Sequence, residues 1–409
     1  MIVRAITPEL RALLGEYPIV TLLGPRQAGK TTLARSAVEG FAYSNLESPE
    51  TREFARSDPK AYLAQFSDKV IIDEIQHVPE LLSYLQVTVD ETPRNGRYIL
   101  TGSHQLEVRQ AITQSLAGRT AILNLLPLSI AEMAGAGIGF DSFAEYAFHG
   151  FLPRIHGPGQ RPATAYSNYY QTYVERDVRQ IVQLKNAILF EKLMRLLAGR
   201  VGQLLDYSSL ANDVGVDPKT VRHWISILEG SFLLFRLPPY FENFGKRAIK
   251  APKIYFTEVG LLCHLLGIRS AAQVARDPLV GGIFENLVVM ECVKARYNRG
   301  EPADFWFYRD SNGNEVDLVW HEGRALAAAE IKSASTFSSA FLKGLVRFRA
   351  MVRHGIAGSM IYGGDPRELS DGTRILHFAD VERLFDSGNG PCQGRSGAGE
   401  GAALDGGGS

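Results

Sequence analysis

Short apolar runs alternate with helix-forming segments over the first 125 residues of the chain. Five runs have the length and residue content of buried strands, and they lie at 19–23, 41–46, 69–72, 97–101 and 121–125. Segments with helical character lie before and between them, at 9–18, 32–38, 58–66 and 81–89. This alternation predicts a parallel sheet covered by helices on both faces.

The first apolar run opens into a loop with the spacing Gly-x-x-x-x-Gly-Lys-Thr, and a helix-forming segment follows. This spacing predicts a phosphate-binding loop, because the glycines let backbone N–H groups point at phosphate oxygens and the helix adds its positive end. Lys30 is expected to contact the β- and γ-phosphates of ATP, and the Thr31 hydroxyl to bind Mg²⁺. A chance match in a glycine-rich turn is the alternative. The predicted nucleotide-binding residues are Gly24, Pro25, Arg26, Gln27, Ala28, Gly29, Lys30, Thr31 and Thr32.

Two carboxylates, Asp73 and Glu74, end the third apolar run, as in a Walker B strand. Asp73 is expected to complete the Mg²⁺ site with Thr31, and Glu74 to orient and polarise the attacking water. A surface turn would account for either carboxylate alone. The fourth run ends in small hydroxyl residues, so Thr101 or Ser103 is a candidate sensor of the γ-phosphate, unless this stretch is a plain turn.

Composition narrows the class of protein. The 409 residues predict two or three domains, and 45% apolar with 22% charged residues is ordinary for a globular protein. Lys plus Arg and Asp plus Glu are both 44, so a general polyanion binder is excluded and any nucleic-acid surface must be local. The cysteines, at 263, 292 and 392, form no C-x-x-C pair, which speaks against structural zinc and fits a reducing cytoplasm. We expect a cytoplasmic protein with no membrane contact, because no apolar run reaches spanning length.

The chain resembles the AAA-like predicted ATPases of bacteria and archaea whose C-terminal half is a domain of unknown function. The resemblance extends to about residue 385, and it is carried by the stretches 24–32, 71–76, 100–103, 115–119 and 126–129. It implies an ATPase that uses ATP and Mg²⁺. In AAA-type ATPases an arginine finger often precedes the fifth core strand, where Arg119 lies here, and a finger acting on a neighbouring subunit implies a homo-oligomer. A structural salt bridge is the alternative for Arg119. The candidate catalytic residues are Lys30, Glu74, Ser103 and Arg119.

Two arginines in the region 127–190, Arg154 and Arg176, are further candidates for contact with the nucleotide. The pattern then changes to a helix-turn-helix between 204 and 235, with Ser208 and Asp217 as expected N-caps. The apolar residues of its second helix recur at i, i+3, i+4 and i+7 from Val221, which leaves a polar outer face. A run without acids follows, and we expect it to form a wing that contacts phosphates of DNA or RNA. Its cations are Lys246, Arg247, Lys250 and Lys253. A winged helix used only for protein packing is the alternative.

The C-terminal part contains a third group of polar residues. Glu285 lies in a segment predicted to be an amphipathic helix, and Asp317 lies on a strand that follows a hairpin turn. Glu330 and Lys332 share one face of the next strand. Three carboxylates and a lysine resemble the PD-(D/E)XK nuclease core, in which the acids (here Glu285, Asp317 and Glu330) hold Mg²⁺ and the lysine (Lys332) positions or activates water. Alternating charges on an exposed strand are the alternative, and the fold does not by itself imply catalysis.

These patterns predict an α/β protein: an AAA-like parallel sheet with a P-loop, a helical lid, a winged-helix connector and a restriction-nuclease-like α/β domain. The predicted ranges are 1–126 for the ATPase core, 127–190 for the lid, 191–250 for the winged helix, 251–385 for the nuclease-like domain and 386–409 for a disordered tail. One hypothesis is a nucleic-acid enzyme in which ATP controls DNA or RNA binding and a metal-dependent nuclease. The competing hypothesis is a nucleotide-dependent switch or scaffold whose inert nuclease-like domain binds another protein. A transcriptional regulator that does not cut is a third.

Overall fold

The computed structural model describes residues 2–66, 68–103, 112, 115–157, 160–178, 187–240, 251–352 and 356–386, without the side chains of 175–178 and 187. Several predictions concern residues outside these ranges. They are the basic residues Lys246, Arg247 and Lys250, the side chain of Arg176, and the tail after residue 386.

The N-terminal part is a five-stranded parallel sheet in the order β2-β3-β4-β1-β5. Buried residues cover both of its faces, so the predicted sheet is confirmed. Its strands are β1 (Ile19–Leu23), β2 (Ala42–Asn45), β3 (Val70–Asp73), β4 (Tyr98–Gly102) and β5 (Thr120–Asn124). The helices are α1 (Thr7–Glu16), α2 (Lys30–Ala37), α3 (Pro49–Ser57), α4 (Pro59–Ala64) and α5 (Leu81–Glu91), with a 3₁₀ turn at Ile75–His77. Because the strands are parallel, β1, β3 and β4 all end at one edge of the sheet.

The middle of the chain is mainly helical. Its elements are α6 (Ile130–Gly135), α7 (Phe143–His149), α8 (Pro162–Tyr169), a π-helical stretch (Tyr170–Val178), α9 (Ala187–Ala198), α10 (Tyr207–Val214), α11 (Pro218–Gly230), and the antiparallel strands β6 (Leu234–Leu237) and β7 (Lys253–Phe256). Helices α10 and α11 lie in the stretch predicted to be a helix-turn-helix, and the apolar face of α11 is buried. The N-cap of α10 is Asp206, which accepts the N–H groups of Ser208 and Ser209, so the prediction of Ser208 as the cap was wrong. Asp217 caps α11 as expected.

The C-terminal part has a six-stranded mixed sheet in the order β12-β13-β11-β10-β9-β8. Its strands are β8 (Phe305–Arg309), β9 (Glu315–Glu322), β10 (Ala325–Ile331), β11 (Ile356–Tyr362), β12 (Arg367–Glu368) and β13 (Arg374–His377). The helices are α12 (Val259–Leu265), α13 (Ala271–Val274), α14 (Val280–Tyr297) and α15 (Lys343–Met351), with 3₁₀ segments at Ser339–Leu342 and Phe378–Phe385. Helix α14 is buried on most sides rather than amphipathic, because it lies in the core shared by both halves of the protein.

One hydrophobic core joins the two halves. It runs from Tyr98 of the N-terminal sheet through Phe284 of α14 to Trp320 of the C-terminal sheet. A buried ion pair strengthens the junction: Lys294 Nζ lies 2.7 Å from Glu291 Oε1 and donates to the carbonyl of Leu128 at 2.8 Å, while Glu291 Oε2 accepts the N–H of Ile130 at 2.8 Å. Helix α14 is therefore fixed to the segment that directly follows β5.

Candidate functional site

The phosphate-binding loop joins β1 to α2 at the carboxyl edge of the sheet. A Cβ at Gly24 would collide with the carbonyl oxygen of Leu125, and Gly29 has φ of 93°, so both positions require glycine. Lys30 is buried, and its Nζ donates to the carbonyls of Gly24 and Pro25, each at 2.9 Å. Burial lowers the pKa of Lys30, although nearby carboxylates oppose this effect. The lysine is thus held inside the loop, where phosphate oxygens would take over its bonds to the carbonyls.

Asp73 collects three hydroxyl groups at the end of β3. Thr31 Oγ1 donates to Asp73 Oδ2 at 2.9 Å, Tyr43 OH donates to the same oxygen at 2.7 Å, and Thr101 Oγ1 donates to Oδ1. Burial and the hydrogen bond to Asp73 raise the pKa of Tyr43, so it stays a donor. Thr101 Oγ1 also accepts the N–H of Glu74 at 3.1 Å. Thr101 therefore holds both Asp73 and Glu74 at this edge of the sheet.

Glu74 lies beside Asp73 with a left-handed backbone, φ 59° and ψ 51°. Its Oε2 accepts a hydrogen bond from Ser103 Oγ at 3.0 Å and another from Gln76, whose Nε2 also lies 3.0 Å from Ser103 Oγ. Burial would raise the pKa of Glu74, but Lys30 and these two donors lower it overall, so the side chain is a carboxylate near neutral pH. Of the two candidate sensors, Ser103 faces Glu74 whereas Thr101 faces Asp73.

Arg4 supports the loop from outside, and the sequence alone did not indicate it. Its buried guanidinium donates to the carbonyls of Ala28 and Leu126, both at 2.6 Å, and to Glu132 Oε1 at 3.0 Å. Each partner lies 24 or more residues away along the chain, so no local pattern marks Arg4. Tyr43 and Gln76 were missed in the same way, although Gln76 lies only two residues after Glu74.

A cavity of about 570 Å³ adjoins the start of α2. One wall comes from the N-terminal segment with Ile2 and Val3, and another from Pro153 and His156. The loop residues Gly29 and Thr32 lie at its edge. The cavity is therefore placed to receive the rest of a nucleotide whose phosphates lie in the loop. Among the other predicted loop residues, Arg26 lies 3.8 Å from Glu47 and over the ring of Tyr173, and Gln27 is exposed with φ of 64°.

Arg119 lies just before β5, at the opposite end of the parallel strands from the phosphate-binding loop of the same chain. It directly precedes Thr120, which pairs with Ile19 at the start of β1. Its guanidinium makes a two-pronged ion pair with Asp90 of α5, with Nε–Oδ1 2.6 Å and Nη2–Oδ2 2.8 Å, and about a third of the side chain is exposed. Arg119 is thus separated from its own phosphate-binding loop by the length of β5. Arg154 is exposed.

The C-terminal candidate residues come together between α14, β9 and β10. Lys332 Nζ lies 2.8 Å from both Asp317 Oδ2 and Glu330 Oε2, and the same Asp317 oxygen accepts the N–H of Ile331 at 2.8 Å. Burial and the charge of Asp317 raise the pKa of Glu330 to about 8. Burial would raise the pKa of Asp317, but the two lysines beside it lower it overall. Glu285 is linked to this group through a second lysine, which contacts both Glu285 and Asp317.

That second lysine is Lys253, and its predicted role in a phosphate-contacting wing was wrong. Its side chain is only 3% exposed, and its Nζ lies 2.7 Å from Glu285 Oε1 and 3.8 Å from Asp317 Oδ1, with a further ion pair to Glu315. Tyr255 OH also donates to Glu285 Oε1, at 2.6 Å. Burial alone would lower the pKa of Lys253, but Tyr255 and these carboxylates raise it well above its usual range.

The described residues contain neither a metal-binding cluster nor a membrane-spanning helix. Across the described residues, no cluster of three or more His, Cys, Asp or Glu side chains is arranged to hold a metal ion. The predicted second metal set, Glu285, Asp317 and Glu330, is thus brought into one region without forming such a cluster. None of the helices in the described part of the chain is long and apolar enough to cross a membrane.

Helix α11 presents a polar outer face, as the sequence predicts. Lys219, Arg222 and His223 are exposed on it, and the Arg222 guanidinium lies 4.7 Å from the ring centroid of Tyr207. The exposed basic side chains of α10 and α11 all lie on this face.

Comparisons with known proteins place the chain in a family. A model described as an AAA domain matches residues 16–134, and two described as domains of unknown function, DUF8612 and DUF4143, match 140–272 and 280–380. The uncharacterized protein Rv2008c of Mycobacterium tuberculosis is 30% identical over 331 residues, which are 80% of this chain and 73% of Rv2008c. This protein belongs to the Rv2008c family. It therefore has an AAA domain at its N-terminal end, in agreement with the sheet order and the phosphate-binding loop.

Two further proteins illustrate the range of similarity. An uncharacterized protein of Haemophilus influenzae is 25% identical over 315 residues, covering 68% of this chain and 75% of that protein. Among solved structures, the Walker-type ATPase PABY2304 of Pyrococcus abyssi has 14% identity and a TM-score of 0.40, covering 64% of this chain and 94% of the ATPase.

Proposed function

We propose that the AAA domain hydrolyses ATP and that the bound nucleotide controls the C-terminal half of the protein. The observation that carries this proposal is the meeting of Lys30, Asp73, Glu74 and Ser103 at the carboxyl edge of one parallel sheet. Edges of this kind are where nucleotides bind in open α/β folds.

Each side chain at this edge has a chemical role in the proposal. Lys30 binds the phosphates as a buried cation. The Thr31 hydroxyl and the Asp73 carboxylate, 2.9 Å apart, are the oxygen ligands that Mg²⁺ prefers, and Mg²⁺ when bound would neutralise charge on the phosphates. Glu74 accepts a proton from the attacking water, while Gln76 and Ser103 hold its carboxylate in place.

The control of the C-terminal half follows from the contacts around the nucleotide cavity. The segment that lines the cavity at Pro153 begins with Phe151, whose N–H donates to the buried Glu258 at 3.0 Å. The ring centroid of Phe151 also lies 3.6 Å from Lys294 Nζ of α14. A nucleotide that moves this segment therefore acts directly on side chains of the C-terminal half.

The proposal is tested by measuring phosphate release with the purified full chain. We expect release to require both ATP and Mg²⁺, and to stop when EDTA exceeds Mg²⁺, because charge on the phosphates is then left unneutralised. Readdition of Mg²⁺ should restore it. A chain that shows no ATP binding in a direct titration would contradict the proposal.

A second candidate function is nucleic-acid binding by the outer face of α11. The exposed Lys219, Arg222 and His223 favour it, because cations on the second helix of a helix-turn-helix are placed to meet phosphates or bases. If the nucleotide controls this binding, the affinity for DNA or RNA should differ with and without ATP. If this face instead binds a protein partner, the chain is the switch or scaffold of the competing hypothesis.

Alanine at both Lys219 and Arg222 should weaken binding to DNA or RNA and make it less salt-dependent, because fewer counterions are released. The slope of log K against log salt should fall by about one for each lost phosphate contact. A matched control replaces the exposed Arg269 and Arg276, which removes the same charge elsewhere. Equal slopes for the two double variants would assign the face to another role.

A further inference from the structure

The acidic cluster of the C-terminal half contains two ammonium groups in contact with its carboxylates. Lys332 bridges Asp317 and Glu330, and Lys253 bridges Glu285, Glu315 and Asp317. A divalent ion shared by Glu285 and Asp317 would have to lie between these two side chains. Lys253 Nζ already contacts both of them, 2.7 Å from Glu285 Oε1 and 3.8 Å from Asp317 Oδ1.

Lys253 has no short route out of this position. Its side chain is 3% exposed, and the residue lies on β7, where it pairs with Leu237 of β6. Leu205 also donates its N–H to the carbonyl of the preceding Pro252, at 2.8 Å. Moving the ammonium group into water therefore requires moving the strand, and it would leave buried carboxylates without a counter-charge.

The charges of the cluster are largely compensated. Among the described side chains, Lys253, Lys332 and Arg309 face the four acids Glu285, Glu315, Asp317 and Glu330, which leaves at most one negative charge in excess. Metal sites for hard divalent cations instead have several carboxylate or carbonyl oxygens directed at one point. The residues present thus do not fit the Mg²⁺ that a PD-(D/E)XK nuclease core implies.

We propose that Lys253 is the resident cation of this cluster and takes the place that a divalent metal ion would need. The cluster is then a structural joint: it ties β7 to α14 and β9. It follows that the C-terminal half acts by binding rather than by metal-dependent cleavage, whether or not the AAA domain hydrolyses ATP.

The experiment measures Mn²⁺ binding to the nucleotide-free full chain by electron paramagnetic resonance, together with the thermal midpoint. All proteins in this measurement carry Asp73→Asn, so that little Mn²⁺ binds at the phosphate-binding loop. The added variants are Lys253→Met, which keeps the length but removes the charge, Lys253→Arg as the matched control, Asp317→Asn, and Lys253→Met with Asp317→Asn. Cleavage of plasmid, single-stranded DNA and RNA is assayed with the Asp73-intact parent and its Asp317→Asn variant.

We expect no Mn²⁺ bound at the cluster in the parent or in Lys253→Arg, and no Mn²⁺-dependent cleavage. Lys253→Met should have a lower thermal midpoint than the parent in EDTA. It should bind about one Mn²⁺ more than the parent, and this Mn²⁺ should raise its thermal midpoint by on the order of 5 °C. Asp317→Asn in the same chain should abolish that gain. Mn²⁺ binding or cleavage by the parent that is lost in Asp317→Asn would overturn the proposal, and this comparison decides it even if Lys253→Met fails to fold. A folded Lys253→Met that binds no Mn²⁺ would also overturn it.

Discussion

Glu74→Gln should bind ATP with nearly the parental affinity and hydrolyse it about 10²–10⁴ times more slowly. The amide keeps the shape of the side chain and its contact with Ser103, but it cannot accept the proton of the attacking water. Glu74 is a carboxylate near neutral pH because Lys30, Gln76 and Ser103 lower its pKa, so the parent has the base ready. A nucleotide titration and a phosphate-release assay measure the two effects separately.

Lys30→Ala should give the opposite pattern, in which binding itself is lost. Hydrogen bonds to charged groups contribute about 1.5–3 kcal/mol each, so losing contacts to two phosphates should lower affinity by at least about 100-fold.

Glu47→Gln is a matched control for Glu74→Gln, since Glu47 is a half-exposed carboxylate near the loop that pairs with Arg26. Parental turnover in Glu74→Gln, or equal losses in both glutamine variants, would show that Glu74 does not activate water.

The arrangement of the candidate nucleotide site was predictable because its signals are local. One apolar strand, two glycines at fixed spacing and a following helix lie within 19 residues of sequence, 19–37, and the third strand carries its own carboxylates. The place of each of these residues in the site follows from the end of the strand that carries or precedes it. In the structure, the parallel sheet then brings Lys30, Asp73 and Ser103 to one edge.

Lys253 shows why the rest was not predictable. In sequence it ends a run of cations without acids, which is typical of a phosphate-binding surface. Its carboxylate partners lie 32 to 64 residues further along the chain, on a helix and a strand of another sheet, so only tertiary structure reveals them. Arg4 is the same kind of case, because its partners lie in the loop and after β5.

Arg119→Ala should bind ATP normally and hydrolyse it about 10³ times more slowly, if Arg119 acts on the ATP of a neighbouring subunit. A cation that reaches the γ-phosphate across an interface stabilises charge that develops in the transition state, so its loss affects turnover far more than affinity. Arg119 lies roughly 16 Å from the carboxyl edge of its own sheet, the length of a five-residue strand. A contribution to its own site is therefore excluded by distance.

The ion pair with Asp90 supplies the matched control for this prediction. If Arg119 has only a structural role, Asp90→Asn removes the same interaction and should lower turnover as much as Arg119→Ala does. If Arg119 is a finger, Asp90→Asn releases it, and turnover should equal or exceed that of the parent. Both side chains are substantially exposed, and exposed ion pairs contribute little to stability, so both variants should fold.

Two measurements on mixtures complete the test of Arg119. The specific activity of the parent should rise with protein concentration, because each complete site needs residues from two subunits. Mixing Arg119→Ala with Lys30→Ala should restore part of the activity, since one subunit contributes an intact phosphate-binding loop and the other an intact arginine. Turnover that is independent of concentration, or a mixture no more active than its two components, would assign Arg119 to the ion pair with Asp90 alone and remove the argument for a homo-oligomer.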